Sequence, residues 1–189
     1  MRALLVKRMK QLTENYFQIF GLEEDFEVDI KTLSLRYREL QGLVHPDKFA
    51  NASESEKRKA LQKTTEINQA HETLKNPLLR AIYILKLKGI DLDQENVTSH
   101  DGAFLMQQME LRESLAKIKT SPDALDKLSK FSRNVEDLTD KQVAQIKEQL
   151  DDGDVESLNA ASDSISKLQF LMKLGVEVEA LEEELEEMI

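Results

Sequence analysis

Leu43-Val44-His45-Pro46-Asp47-Lys48-Phe49 is the stretch whose reading decides the fold of this chain. It sits between two segments of helical periodicity. Upstream, Ile30, Leu33, Tyr37, Leu40 and Val44 recur at intervals of three, four, three and four, one apolar stripe along one helix face. Asp29 can cap that helix. Pro46 ends it, because the residue before a proline is driven out of the α region. Downstream, Ser53 and Glu56 form a capping-box signature. Ala60, Thr64, Ile67, His71 and Leu74 then repeat at four, three, four and three. Two such stripes can pack antiparallel, which places His45-Pro46-Asp47 at the turn between them.

Working outward, a short helix over Glu14 to Phe20 offers Tyr16, Phe17 and Phe20 to cover the pair, and Gly21 stops it. After Asn76-Pro77, a further short helix over Leu78 to Lys88 closes at Gly89. These elements make a first domain over residues 14–88. Residues 89–100 read as a polar linker, and 101–189 as a second domain. There, one helix spans about Gly102 to Lys119. A second starts at Ser121-Pro122, a cap followed by proline at the first helical position, and ends at Gly153. A third runs from Asp154 nearly to the C-terminus. Leu125, Leu128, Phe131, Val135, Leu138, Val143, Ile146 and Leu150 supply the core side of the second. Short connections make sequential helices antiparallel, so a three-helix bundle is expected. No segment alternates in the strand period. The expected fold class is all-α: an antiparallel helical hairpin with short helices, joined to a C-terminal three-helix bundle.

Composition bounds the function. The chain has 189 residues, 40 % hydrophobic and 33 % charged, with six Gly, three Pro and no Trp, a helix-favouring profile with enough apolar content for a core. A formal net charge of −10 argues against nucleic acid as partner, since phosphate contacts need clustered Lys and Arg. No apolar run approaches a membrane span, so no membrane partner is expected. There is no Cys, hence neither a disulfide nor a thiolate metal site. Met1 to Leu12 carry four basic residues and no acid. Without Ser or a long apolar stretch, they read as a lead-in to the first domain rather than a targeting signal.

The loop has a chemistry of its own. Pro46 stiffens it, Asp47 offers a carboxylate suited to a bidentate bond from a partner's Arg, and His45 can donate or accept beside it. Lys31, Arg38 and Glu39 point away from the apolar stripe, and so does Leu35, for which the charge pattern has no use. From Lys31 to Lys48 there are four basic residues and two acids, a positive segment in an acidic chain. With Tyr16-Phe17, Leu40, Lys48-Phe49 and Ile67-Asn68 in matching places, the first domain resembles the J-domain family, co-chaperones that stimulate ATP hydrolysis by Hsp70 chaperones. The resemblance implies that His45, Pro46, Asp47, Lys31, Arg38 and Lys48 dock on an Hsp70, supplying differential binding energy and no catalytic group. Leu43 and Val44 depart from the family, where a basic and an aromatic residue are common. That departure implies weaker docking or a specialised Hsp70.

The second domain carries an unusual helix. In Ala103 to Glu113, Phe104, Leu111, Leu115 and Ile118 make one apolar stripe, while Leu105, Met106 and Met109 make a second on nearly the opposite face. A bundle helix needs one buried face. The second stripe, bordered by Glu110 and Glu113, reads as a partner site or as a packing face against another domain or copy. Leu33-Ser34-Leu35-Arg36, His45-Pro46-Asp47-Lys48-Phe49-Ala50, Ile67-Asn68-Gln69-Ala70, Ala103-Phe104-Leu105-Met106, Leu111-Arg112-Glu113 and Lys167-Leu168-Gln169-Phe170-Leu171 are similar to stretches of the HscB-type J-domain co-chaperones. The likeness covers about nine-tenths of the chain and both halves. It implies that the protein delivers an IscU-like iron-sulfur scaffold protein to an HscA-like Hsp70, promoting cluster transfer. It implies further that Leu105, Met106, Met109, Glu110, Glu113 and Phe170 bind the scaffold. On periodicity alone, Phe170 fits the bundle core equally well. Lacking Cys, the chain cannot hold a cluster through thiolates, and it lacks the Cys-rich module of many eukaryotic members. A bacterial, cytoplasmic protein is expected, with no cofactor.

The sequence admits three rival readings. An enzyme is disfavoured: His45, His71 and His100 are the only histidines, none paired at metal-ligand spacing, and no phosphate loop or nucleophile motif occurs. A structural adaptor acting through the Glu-rich C-terminal helix is weaker than the view of that run as a solvated face. A J-domain with another client is the third. The absence of a Gly/Phe-rich segment and of a zinc module argues against a general-purpose member.

Overall fold

The computed structural model describes residues 15–49, 52–92 and 102–187. The lead-in and most of the expected linker lie outside these. Seven α-helices and one 3-10 turn account for the described architecture, with no strand among the described residues. They are α1 (Tyr16–Phe20), α2 (Ile30–Val44), the turn Pro46–Phe49, α3 (Glu54–Lys75), α4 (Pro77–Leu87), α5 (Gly102–Lys119), α6 (Ala124–Asp152) and α7 (Val155–Glu186). The all-α expectation holds. The chain forms two compact units, Met1–Ile84 and Leu85–Ile189, so the division falls inside α4, upstream of residues 89–100.

In the first unit each helix begins where the local chemistry dictates. Asn15 and Gln18 close a capping box on α1, and Gly21 ends it at φ 64, a left-handed conformation that costs glycine little. Asp29 caps α2 by accepting from Lys31 N, and Ser53 with Glu56 forms the capping box of α3. Asn76 accepts from Leu78 N and Leu79 N, capping α4 with Pro77 as its first residue. The hairpin of α2 and α3 buries Leu33, Leu40, Val44, Ala60, Ile67, Ala70 and Leu74, with Phe17, Phe20 and Phe26 from the preceding segment. Ile30 is the exception: at the first turn of α2 it is exposed, where the periodicity put it in the stripe. Tyr83 of α4 stacks on Tyr16 of α1, centroids 4.3 Å apart, and its hydroxyl accepts from Tyr16 N at 2.9 Å. That pairing ties the last helix of the unit to the first.

In the second unit, α6 and α7 form a long antiparallel hairpin, and the shorter α5 lies against both. Phe104 meets Phe170 and Lys119 bonds Glu184, so α5 runs parallel to α7 and antiparallel to α6. The core joins Phe104, Leu111, Leu115 and Ile118 of α5 to Leu128, Phe131 and Val135 of α6 and to Leu171, Leu174, Val178 and Leu181 of α7. One boundary needs correcting. The middle helix starts at Ala124 instead of at Ser121-Pro122. The Ser121 hydroxyl donates to the Asp123 carboxylate at 2.5 Å rather than capping a helix at Pro122. Gly153 (φ 66) closes α6, and Asp154 caps α7 by accepting from Ser157 N.

Candidate functional site

The first candidate surface is the tip of the α2–α3 hairpin. His45 leaves the helix at φ −56, ψ 131, the extended conformation that a following proline imposes. Its carbonyl accepts from Lys48 N at 3.0 Å, closing the 3-10 turn Pro46–Phe49. That turn packs on α3. The Thr64 hydroxyl lies 3.4 Å from the Val44 carbonyl that it can donate to, and donates to the Ala60 carbonyl at 2.9 Å, anchoring the end of α2 beside α3. Further along, Tyr37 and Gln41 of α2 both bond the Asn68 side chain of α3. The loop therefore rests on a braced hairpin. His45 and Lys48 are exposed at it, and Lys31 and Arg38 are exposed along α2. The Arg38 Nε donates to the Ser34 carbonyl at 3.3 Å. The side chains of Pro46 and Asp47, on which the docking expectation centres, lie outside the described residues.

The second surface lies on α5. Leu105, Met106 and Met109 are 44 %, 65 % and 64 % exposed, a large apolar group for one solvent-facing stripe. Glu110 and Glu113 are exposed at its edge, and Glu113 pairs with Lys117 at 3.4 Å. Phe170 is placed differently. It is only 9 % exposed and belongs to the bundle core, edge-on to Phe104 with centroids 5.7 Å apart. The Arg112 guanidinium lies 5.6 Å from its centroid, and the Lys167 ammonium lies 5.5 Å from that of Phe104. The two rings meet on the core face of α5, Phe104 from α5 itself and Phe170 from α7. So the structure brings five of the six expected scaffold-binding residues to the surface of one helix and puts the sixth under it. Arg112 was missed by sequence reasoning. Its spacing of three from Met109 was the available signal.

The first unit holds two further features, the first of them outside the reach of periodicity. Arg80 is buried, donates to the Leu74 carbonyl at 2.6 Å and lies over the Phe26 ring at 4.9 Å. It thereby satisfies a C-terminal carbonyl of α3 that the helix itself leaves open. Burial lowers its pKa, though it stays a cation at any physiological pH. His71 stacks on Tyr37, centroids 4.0 Å apart, and meets Phe20 edge-on, the packed histidine that its place on the stripe predicts.

A braced helical hairpin ending in His45-Pro46-Asp47, closed by a helix that stacks back on the first, defines a J-domain protein, and residues 15–83 match the DnaJ domain family. Residues 100–179 match the family described as the HSCB C-terminal oligomerisation domain. The chain belongs to the HscB family of J-domain co-chaperones. The "Co-chaperone protein HscB homolog" of Shewanella loihica is 44 % identical over 171 residues, covering 90 % of this chain and 99 % of that one. That of Aliivibrio fischeri is 46 % identical, covering 90 % and 98 %. Among solved structures, the chaperone HscB from Vibrio cholerae superposes with a TM-score of 0.83 at 42 % identity, over 91 % of this chain and 99 % of that one. Human co-chaperone protein HscB gives 0.81 at 27 % identity, over 90 % and 83 %. These relatives are named as chaperones or co-chaperones, a non-enzymatic class. No helix among the described residues is long and apolar enough to cross a membrane.

Proposed function

We propose that this protein couples an HscA-like Hsp70 to an IscU-like iron-sulfur scaffold protein, stimulating the Hsp70 ATPase while presenting the scaffold as client. The proposed Hsp70 surface is His45, Pro46 and Asp47 with Lys31, Arg38 and Lys48. The proposed scaffold surface is Leu105, Met106 and Met109, rimmed by Glu110 and Glu113, with Phe170 supporting it from below. The setting proposed is the cytoplasm of a bacterium. The observation that carries this reading is the exposed apolar stripe on α5 of a helix whose other face already fills the bundle core. Nothing in the bundle's own packing calls for it, and it occurs in a chain of the HscB family.

The mechanism is one of linkage. Docking of the basic hairpin face favours the Hsp70 conformation that hydrolyses ATP, and it can do so only by as much as it binds that conformation more tightly. Met106 and Met109 suit a protein partner, because their unbranched side chains adapt to an irregular surface. The acidic rim sets orientation and excludes wrong partners more than it adds affinity.

The experiment has two arms. With purified HscA-type Hsp70, Asp47→Asn is expected to remove most of the ATPase stimulation, because an amide cannot replace a carboxylate in a charged Arg pair. In calorimetric titration with an IscU-type scaffold, Leu105→Ala with Met109→Ala is expected to weaken binding about tenfold or more, each buried apolar side chain being worth about 1.5–3 kcal/mol. Wild-type stimulation by the first variant sinks the Hsp70 assignment. Unaltered scaffold affinity in the second sinks the patch.

A further inference from the structure

The face of α2 that carries Lys31 and Arg38 also carries two residues its charge pattern leaves unused. Leu35 is 52 % exposed, four residues after Lys31 and three before Arg38, so the three side chains are neighbours on one ridge. The inner face of α2 is already complete with Leu33, Leu40 and Val44, so the domain core has no use for Leu35. Gly42 lies seven residues beyond Leu35 and four beyond Arg38, exposed at the loop end of the same ridge. Glycine inside a helix is the least favourable residue after proline. A Cβ built on Gly42 meets nothing within 4 Å, and its backbone has no positive φ. Neither packing within the chain nor local geometry accounts for a glycine there.

We infer that Leu35 and Gly42 form an apolar notch in the Hsp70-docking surface, Leu35 inserting into the partner and Gly42 letting the partner's chain approach the α2 backbone. This rests on the Hsp70 reading above and names the residues that tune its affinity. The occupant is the Hsp70 surface that also takes the loop. Leu35 lies about 15 Å along α2 from His45 at 1.5 Å per residue, within the footprint of one ordinary interface. Its neighbours Lys31 and Arg38 are cations, as are Arg36 and Lys48 of the same segment, in a chain of net charge −10, so the complementary surface is acidic around an apolar spot. An apolar centre with a charged rim is the usual anatomy of a specific interface.

The test is a titration of ATPase stimulation on purified HscA-type Hsp70, with wild type, Leu35→Ala, Gly42→Gln and Asp47→Asn in parallel. Leu35→Ala is expected to raise the half-saturating concentration about tenfold while the plateau is reached, the loss of a buried leucine side chain. Gly42→Gln is expected to melt at a higher temperature than wild type, because it improves the helix, yet to need more protein for half-saturation. That opposition separates an obstructed docking face from a damaged fold. Half-saturation within twofold of wild type for both variants, with Asp47→Asn inactive, overturns the notch and leaves the Hsp70 reading standing. A shift for Leu35→Ala alone overturns the role of Gly42. Full stimulation by Asp47→Asn overturns the Hsp70 reading and the notch with it.

Discussion

His71 shows what a single buried nitrogen does to the first unit. Its ring is held between Tyr37 and Phe20, and its Nε2 is buried with no hydrogen-bond partner. Desolvation first, then the Lys75 charge, lowers its pKa below 6.5, against a smaller opposing effect of Glu72. The unfolded chain therefore takes up the proton first. Stability is fully present above pH 6.5 and falls as the pH drops through the folded value. His71→Phe keeps the ring contacts and removes the unpaired nitrogen. It is expected to gain about 1 kcal/mol at pH 7, the lower end of the cost of an unsatisfied buried polar group. It should also flatten the stability profile below pH 6.5, as urea unfolding followed by circular dichroism will measure. A variant no more stable than wild type, with an unchanged slope, contradicts this account. At Phe170 the same scale explains a division of labour. An aromatic ring locked edge-on against Phe104 cannot adapt to a partner as the exposed methionines can, but it fixes the position of the helix that carries them.

At the scale of elements, the connections decide how the hairpins are presented. The α5–α6 turn is held by a compact polar cluster. The Lys127 ammonium lies 2.7 Å from the Asp123 carboxylate and also bonds the Ser121 hydroxyl. Those bonds, Lys127 first and Ser121 second, hold the Asp123 carboxyl down at about 2, against an ordinary 3.8. A depressed carboxyl stabilises the fold above its unfolded value. That contribution is lost as the pH falls from 3.8 towards 2. Asp123→Asn is accordingly expected to melt slightly lower than wild type at pH 7, with the difference closing by about pH 2. The cluster is half exposed, so the effect at neutral pH is small. A gap that persists at pH 2 assigns the loss to backbone strain instead. At the hairpin tip the element logic is different. Pro46 and the bond from Lys48 N to the His45 carbonyl hold the loop by backbone geometry.

For the molecule as a whole, the two proposed surfaces differ in physics. The docking face from Lys31 to Lys48 has four cations and two anions, while the α5 patch is apolar at its centre. Salt screens the first and hardly touches the second. Raising NaCl from about 0.05 to 0.5 M is expected to raise the concentration for half-maximal Hsp70 stimulation several-fold, through the on-rate. Calorimetric affinity for the scaffold should stay within about twofold over the same range. Equal salt dependence in both assays rejects the division into an electrostatic end and an apolar end.

Much of this was legible in the chain. The helices, their caps, the core stripes and the exposed second stripe at Leu105, Met106 and Met109 depend on interactions within a few residues, and the 3.6-residue period writes those into the sequence. The place of His45-Pro46-Asp47 between two helices followed from the same local rules. Some features were out of reach of periodicity, which says which side of a helix a residue is on and not what lies across from it. Phe170 beneath the patch, Arg112 over its ring, Arg80 on the Leu74 carbonyl and Tyr83 stacked on Tyr16 are pairings across helices. The start of α6 at Ala124 is a competition between a cap and an ion-pair cluster that the sequence pattern weighted wrongly. Local order was determined by the sequence alone. Which aromatic faces solvent and which braces the helix above it was decided only by packing, because burial belongs to the assembled core and not to any one helix.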